Sequence, residues 1–525
     1  MPLFTLGHPS LDAVSQKALQ LPIINPFDRH GRIFFFAWLS FLLSFLSWYS
    51  LPPLLNVTIK KDMNLTDGQV ANSNIIAGVA SLLVRLVAGP LCDRFGPRYV
   101  LVATLWLSAL PCGLAGTAMS VNGLYAIRFF MGIAGAAFVP CQCLMAAWFD
   151  KQVIGTASAF AAGWGDSGVG ITFFVMPAIF NSLVSSHGHD ERVAWRLSFI
   201  VPCVLLLACG ALVLIFNEDT PTGPWATRNL DSRNIRRGSG TLSNIRSTNS
   251  SLTVFGPFQP GSGVKHIKSM PSSSDLEKGA SSVAVTRRGS EATMLDEYDT
   301  APPQSQPAQS FGSGLKDLAC MQTFMLAAGY FATFGTCLTV NSILVSWYIN
   351  KFGWDQTRAG NWAAMFGLLN IVARPVGGIM GDVLYRRLDE RRGLLAKKFW
   401  LSSLCVLGGI LALLTGLLDL NPAPSFIALV SVLAFVVEAG NGACYALLPH
   451  VNPHINGLMG GVVGGSGNLG GIIFSTIARF ATTPQTVWII GIFGISIGSI
   501  ISFINPSVSS TSSSKRLSPQ TTFVN

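Results

Sequence analysis

Twelve apolar blocks, each about 20 residues long, limit what this chain of 525 residues can fold into. A helix rising 1.5 Å per residue needs about that length to cross a hydrocarbon core of roughly 30 Å. Six blocks precede residue 217, the first running from Ile33 to Leu55. Six follow residue 316, among them Gly360 to Leu384 and Val487 to Ile504. Lipid offers backbone groups no hydrogen bonds, so each block must satisfy its own and is expected to be a helix. The expectation is an all-α polytopic membrane protein of 12 transmembrane helices in two six-helix halves, with the lipid bilayer as its surroundings.

Charge agrees with this and excludes other classes. Only 11% of the residues are charged, against roughly 25% in soluble proteins. The formal net charge of +10 forms no basic stripe interleaved with aromatics, and 11 of the 35 Lys and Arg lie in one polar loop, so no nucleic acid is expected as a partner. Cysteines such as Cys112, Cys209 and Cys405 sit inside apolar blocks and Cys92 closes one; they read as small core residues. Cys141 and Cys143 lack the further ligands a metal site needs. His450 and His454 stand beside no nucleophile or ligating carboxylate and read as polar residues of a turn. Neither an enzyme nor a cofactor is expected.

The organisation expected is a cytoplasmic N-terminal segment 1–32, a first bundle 33–216, a loop 217–316, a second bundle 317–505 and a cytoplasmic tail 506–525. The loop is rich in Ser, Gly, Thr and Arg without a sustained apolar period, so it is expected to be disordered. Within it Arg236-Arg237-Gly238-Ser239 and Arg287-Arg288-Gly289-Ser290 repeat one pattern. Two arginines there would neutralise a phosphate on Ser239 or Ser290, which makes a protein kinase a candidate partner; a plain basic linker carries the same text. The polar stretch up to Arg32 leaves no cleavable signal, so the first span itself must direct insertion. Short segments on the side of the termini carry more Lys and Arg than the opposite loops, including Arg94, Arg98, Arg386, Arg387, Arg391 and Arg392, which places both termini in the cytoplasm. The sequons at Asn56 and Asn64 then lie outside. Asn64 is the better glycan acceptor, because Asn56 hugs the membrane.

Two motifs recur in register in the two halves. Arg85, Gly89 and Asp93 stand at intervals of four, as do Arg374, Gly378 and Asp382. Gly155, Gly163, Gly165, Asp166 and Gly168 match Gly457, Gly465, Gly467, Asn468 and Gly470 without a gap. Arg85 and Arg374 each lie about 12 Å of helix rise inward from their aspartates, too deep to snorkel easily. A charge at that depth marks a functional site by default. Asp166 is the expected partner should Arg85 instead form a structural ion pair. Two guanidiniums from equivalent positions would meet near mid-membrane, and their planar forks suit the flat edge of nitrate or a carboxylate. The glycines are explained mostly by close helix packing. Packing does not account for Asn468 among them, whose amide can donate to an anion.

Gly89-Pro90-Leu91-Cys92-Asp93-Arg94-Phe95-Gly96-Pro97-Arg98 resembles the loop motif of the major facilitator superfamily. The resemblance implies that fold, with a gating motif at Gly89, Asp93, Arg94 and Arg98 and its repeat at Gly378 and Asp382. Arg128, in Arg128-Phe129-Phe130-Met131-Gly132, is similar to the buried fourth-helix arginine of that superfamily. More narrowly, Ala161-Ala162-Gly163-Trp164-Gly165-Asp166-Ser167-Gly168 and Gly464-Gly465-Ser466-Gly467-Asn468-Leu469-Gly470-Gly471 resemble the two signatures of the nitrate/nitrite porter family. Flanking text such as Phe138-Val139-Pro140-Cys141-Gln142 agrees, and the long central loop looks like the fungal branch. This likeness implies high-affinity, proton-coupled uptake of nitrate, with nitrite as a further substrate, across the plasma membrane. It also implies that Arg85 and Arg374 bind the anion, that Asn468 lines the site, and that two bundles rock about it. The chain departs from the pattern in having Asp166 where the first signature has asparagine, and Val169 where glycine is usual.

Proton coupling needs a group that titrates near the site. Asp166 and Glu438 are the carboxylate candidates, and Arg128 is a further buried charge. Glu438 equally reads as a carboxylate hydrogen-bonded to neighbouring helices. Other readings stay open: a carrier that prefers nitrite or a small carboxylate, and a nitrate-sensing receptor with little turnover.

Overall fold

The computed structural model describes residues 2–225, 318 and 320–504, except 14, 187, 419 and 452–454. Ser239 and Ser290, nearly all of the loop 217–316 that holds them, His454 and the tail 506–525 lie outside the described residues.

Among the described residues, twelve helices are long and apolar enough to cross a membrane. They are α1 (Arg29–Leu54), α2 (Asp67–Phe95), α3 (Pro97–Thr117), α4 (Val121–Trp148), α5 (Ile154–Ser185) and α6 (Glu191–Phe216). After the central loop follow α7 (Met321–Phe352), α8 (Gln356–Arg387), α9 (Glu390–Leu417), α10 (Ala423–Val451), α11 (Asn456–Phe480) and α12 (Thr483–Phe503). Several begin earlier than their apolar text because a polar cap starts them. Asp28 accepts from the backbone N–H groups of His30 and Gly31 ahead of α1, and Asp355 does the same for Thr357 and Arg358 at α8. Thr66 with Gln69 and Thr482 with Gln485 form capping boxes at α2 and α12. Such residues satisfy the orphan N–H groups of a first turn while adding nothing to hydropathy.

Three spans are interrupted near their middle. α4 passes through a 3₁₀ stretch at Gly132–Ala137, α5 breaks at Ser167 and α8 at Leu369. Across the boundary between the halves, α5 packs along α8 and α11 packs along α2. Side chains such as Leu107, Leu110, Val204, Ile215 and Phe503 point outward from α3, α6 and α12 and stay exposed, as a lipid-facing surface requires.

The segment before α1 is folded. Phe4–Thr5 (β1) pairs in parallel with Leu21–Pro22 (β2). Ala18 exchanges backbone hydrogen bonds with Trp148 and Asp150, and both Ala18 and Leu21 are fully buried. Lys17 donates to the Ala146 carbonyl at 2.7 Å, and the Phe4 ring meets the edge of Phe160. This segment covers one end of the bundle, called here the terminal face.

Candidate functional site

Arg85 of α2 and Arg374 of α8 are both 0% exposed, so neither reaches the surface. Arg85 donates from Nε to the Gly135 carbonyl at 2.8 Å and from Nη1 to the Gly464 carbonyl at 2.9 Å. The 3₁₀ stretch of α4 carries Gly135 to that position. Arg85 Nη2 has no hydrogen-bond partner among the described residues. Arg374 donates from Nη2 to the Tyr330 hydroxyl at 3.0 Å, and its Nη1 faces Asp166 Oδ2 in an ion pair. Both guanidinium carbons lie 5.3 Å from the centre of the Phe138 ring, and that of Arg85 is 5.1 Å from Phe334. The duplicated arginines therefore share one aromatic ring, whose electron-rich faces favour cations.

The expected pairing of Asp166 with Arg85 is not what forms: Asp166 binds Arg374, in the other half. The cause is the way the halves meet, with α5 lying on α8. A Cβ at Gly163 would sit 2.4 Å from the Asn370 carbonyl oxygen, so the missing side chain is what lets the two backbones approach. The equivalent crossing in the other pair, α11 on α2, brings Asn468 to α2, where its Nδ2 donates to Ser81 Oγ at 2.9 Å, about one helical turn before Arg85. Asn468 Oδ1 accepts no hydrogen bond among the described residues. The other signature glycines face neighbouring helices: Gly165 and Gly168 face Phe41 and Leu42 of α1, Gly465 faces Leu82 of α2, and Gly467 and Gly470 face α7.

Aromatic rings complete the enclosure. Tyr330 stacks on Phe334 at 4.9 Å, Tyr445 meets Phe138 edge-on at 4.6 Å, and the Tyr445 hydroxyl donates to the Gly460 carbonyl. Tyr330 and Tyr445 were not singled out from sequence. The spacing of Tyr330 and Phe334, one turn apart on one helix face, is the signal that could have found them.

Two further buried charges of the spans, Arg128 and Glu438, occupy separate places. Arg128 donates to the Trp48 carbonyl at 3.3 Å and to Asn74 Oδ1. It lines a cavity of about 70 Å³ that also touches Pro52, Val345 and, at its inner end, Asn468, on the side away from the terminal face. Glu438 is 0% exposed with both oxygens engaged: Cys337 Sγ donates to Oε1 at 2.6 Å and Asn441 Nδ2 to Oε2 at 2.8 Å.

At the terminal face the aspartates of the loop motif and its repeat bind helix starts in the opposite half. Asp93 accepts from the backbone N–H groups of Gly457 (3.0 Å) and Leu458 (2.8 Å), which open α11. Asp382 accepts from the backbone N–H and hydroxyl of Thr156, in the first turn of α5, at 2.6 and 2.8 Å. Each carboxylate satisfies orphan donors at the positive end of a helix. Gly89 and Gly378 make room, since a Cβ on either would lie 2.4 Å from a carbonyl oxygen, that of Gly457 and that of Gly155. Arg94 is exposed over the Phe95 ring, and Arg98 donates to the Leu214 carbonyl. His450 is no open turn residue: it is 9% exposed, with Nε2 3.0 Å from Lys397 Nζ, which itself donates to Asp382 Oδ1 at 2.9 Å. The expectation failed because Lys397 lies in a different span and its approach is a matter of packing. On the opposite side Asn64 is exposed in a left-handed turn with φ 51°, and the Thr66 hydroxyl of its sequon accepts from the Gln69 N–H.

Twelve spanning helices among the described residues, motifs duplicated across two halves, one closed face and a buried polar centre define a membrane carrier. The chain matches the model of the Major Facilitator Superfamily over residues 37–474 and belongs to that superfamily. It is similar to elsinochrome transporter 1 of Elsinoe fawcettii, with 30% identity over 95% of this chain and 97% of that one. It is also similar to high affinity nitrate transporter 2.7 of Arabidopsis thaliana, 27% identical over 86% of this chain and 78% of the relative. The nitrate/nitrite transporter NrtP of Nostoc punctiforme is 27% identical over 89% and 90%. Among solved structures, the proton:xylose symporter XylE superposes with a TM-score of 0.56 at 14% identity, covering 90% of this chain and 95% of that one, a likeness of fold alone.

Proposed function

We propose that this carrier takes up nitrate, and nitrite as a further substrate, together with protons by alternating access. Arg85 and Arg374 hold the anion and Asn468 donates to it from the side. The observation that carries the reading is the pair of fully buried guanidiniums that share the Phe138 ring, each 5.3 Å from its centre, with Arg85 Nη2 unpartnered among the described residues. A planar anion offers the oxygen edge that such a fork binds, in a site whose low dielectric strengthens the contact. The relatives named as nitrate transporters support this cargo. The relative of 30% identity is named for another, elsinochrome. A buried seat closed by aromatic rings favours the smaller ion.

In this reading the bundles 33–216 and 317–505 rock about the seat. Gly89, Asp93, Arg94 and Arg98 with Gly378 and Asp382 would form the cytoplasmic gate of a plasma-membrane protein whose terminal face and termini lie in the cytoplasm. Asn64 is then an external glycan acceptor. Ser239 and Ser290 would be kinase sites in a loop that joins the bundles, and a double alanine variant with unchanged uptake under every nitrogen supply removes that role.

The test of function is uptake of labelled nitrate by cells lacking other nitrate carriers, in competition with nitrite, formate and chloride. Concentrative uptake blocked by nitrite but not by chloride is expected. Blocking by formate alone would assign a small carboxylate instead. Binding without uptake would make the chain a receptor.

A further inference from the structure

The seat just assigned to the anion already has an occupant, a side chain of the protein. Asp166 Oδ2 faces Arg374 Nη1 in an ion pair, and both side chains are buried. Asp166 Oδ1 accepts no hydrogen bond among the described residues. A carboxylate meets a guanidinium with the same flat, two-oxygen edge that a planar oxyanion would use. Two anions cannot share one edge at a site this deeply buried, because like charges at that distance repel strongly when solvent does little to screen them.

Resting on the reading of Arg85 and Arg374 as the anion seat, we propose that Asp166 is the proton carrier of the transport cycle and works by exclusion. Its carboxylate holds Arg374 while the seat is empty, and it takes up a proton as the anion displaces it. The step balances. One O–H bond forms on Asp166 as one breaks on a hydronium ion of the solution at the open mouth, which is left as water. The guanidinium keeps its charge and exchanges a carboxylate for the incoming anion. The summed charge of Arg85, Arg374, Asp166 and cargo is the same before and after, so one proton accompanies one anion.

The surroundings single out this acid. α8 presents Arg374 to it, with Asp382 two turns away at the terminal face. From α10, Glu438, Cys444 and Tyr445 act on Arg374, as does Arg85 from α2, and Tyr330 of α7 bonds it directly. α1 offers no charged residue between Ile33 and Trp48, α4 between Phe138 and Trp148 has only Cys141 and Cys143 as titratable groups, and the second part of α5, Gly168–Ser185, has none. Among the described residues Glu438 is the competing carboxylate that acts on Arg374, and both its oxygens already accept hydrogen bonds. The duplicated position carries an amide, Asn468, which cannot titrate. Only one of the two equivalent places in the molecule is an acid.

The experiment measures nitrate binding by the purified full-length protein in weak buffer with a pH indicator. Wild type is expected to take up about one proton per nitrate bound. Its apparent Kd should rise about tenfold per pH unit on the alkaline side. Asp166→Asn should bind nitrate more tightly than wild type at alkaline pH, with no proton uptake and a flat pH profile. Asp166→Glu should keep the proton uptake and serves if the asparagine variant does not fold. Nitrate binding to wild type without proton uptake anywhere between about pH 5 and pH 8 overturns the proposal and leaves the seat standing. No binding of nitrate, nitrite or formate at any pH overturns the seat, and the proposal with it.

Discussion

Asp166 on α5 and Arg374 on α8 form a buried ion pair that ties the two halves of the molecule together at its centre. Arg85, the other duplicated arginine, has instead two backbone carbonyls, one on each half, at Gly135 and Gly464. Equivalent residues thus hold their charge by different means. One is balanced by a countercharge and the other by dipoles.

That difference makes the arginines sensitive to a conservative change. A lysine at position 85 or 374 keeps the charge but not the forked donors, which are committed in several directions at once. Arg85→Lys and Arg374→Lys are each expected to raise the concentration of nitrate for half-maximal uptake by about ten- to a hundredfold, the worth of one charge-assisted hydrogen bond of roughly 1.5–3 kcal/mol. Uptake kinetics with labelled nitrate read this directly. Unchanged values in both variants would sink the paired-arginine seat.

The glycines should divide into two kinds. Gly163 is filled by its neighbour, with a new Cβ 2.4 Å from the Asn370 carbonyl oxygen, whereas a Cβ on Gly460 meets nothing within 4 Å. Gly163→Ala should destabilise the protein by about 1–3 kcal/mol through overpacking. Gly460→Ala should be neutral or stabilising by up to about 1 kcal/mol, since alanine is the better helix former. Thermal unfolding of the two purified variants gives the comparison, and equal loss in both would contradict the packing described.

Much of this was legible in the text of the chain. Span number and the duplicated motifs follow from apolar period and register, and the depth of Arg85 and Arg374 follows from their distance to Asp93 and Asp382. Two things were not legible. Register shows that Asp166 and Asn468 are equivalent but not which helix each faces, because that depends on how α5 and α11 cross the boundary between halves. The burial of His450 by Lys397, and of Ala18 and Leu21 beneath the bundle, depends on contacts between segments distant in sequence.

The folded N-terminal segment gives its own expectation. Ala18 is fully buried with its backbone bonded to Trp148 and Asp150. Ala18→Glu would put an unpaired charge there, at a cost of several kcal/mol that local release of the segment avoids. Limited proteolysis should then cut before Arg29 faster than in wild type, while the spans stay intact. Equal cleavage rates would show that the segment is not held by this contact.

The aspartates at the terminal face can be tested by hydrogen exchange. Asp93→Asn should speed exchange of the Gly457 and Leu458 amides, and Asp382→Asn that of Thr156, each by about three- to thirtyfold if the charge at a helix start is worth roughly 0.7–2 kcal/mol. Each variant should act on its own helix, and exchange unchanged at both sites would show that these contacts do not hold the face.

Those same contacts have a second consequence when they part. While the face is closed, each positive helix end is answered by a carboxylate, and the interior shows an arriving anion no attraction in that direction. In the proposed cycle, parting the halves pulls both carboxylates away and leaves the beginnings of α5 and α11 bare on either side of the opening. What locks the door when the carrier is shut becomes, once it swings, a pair of electropositive posts that draw the ion out.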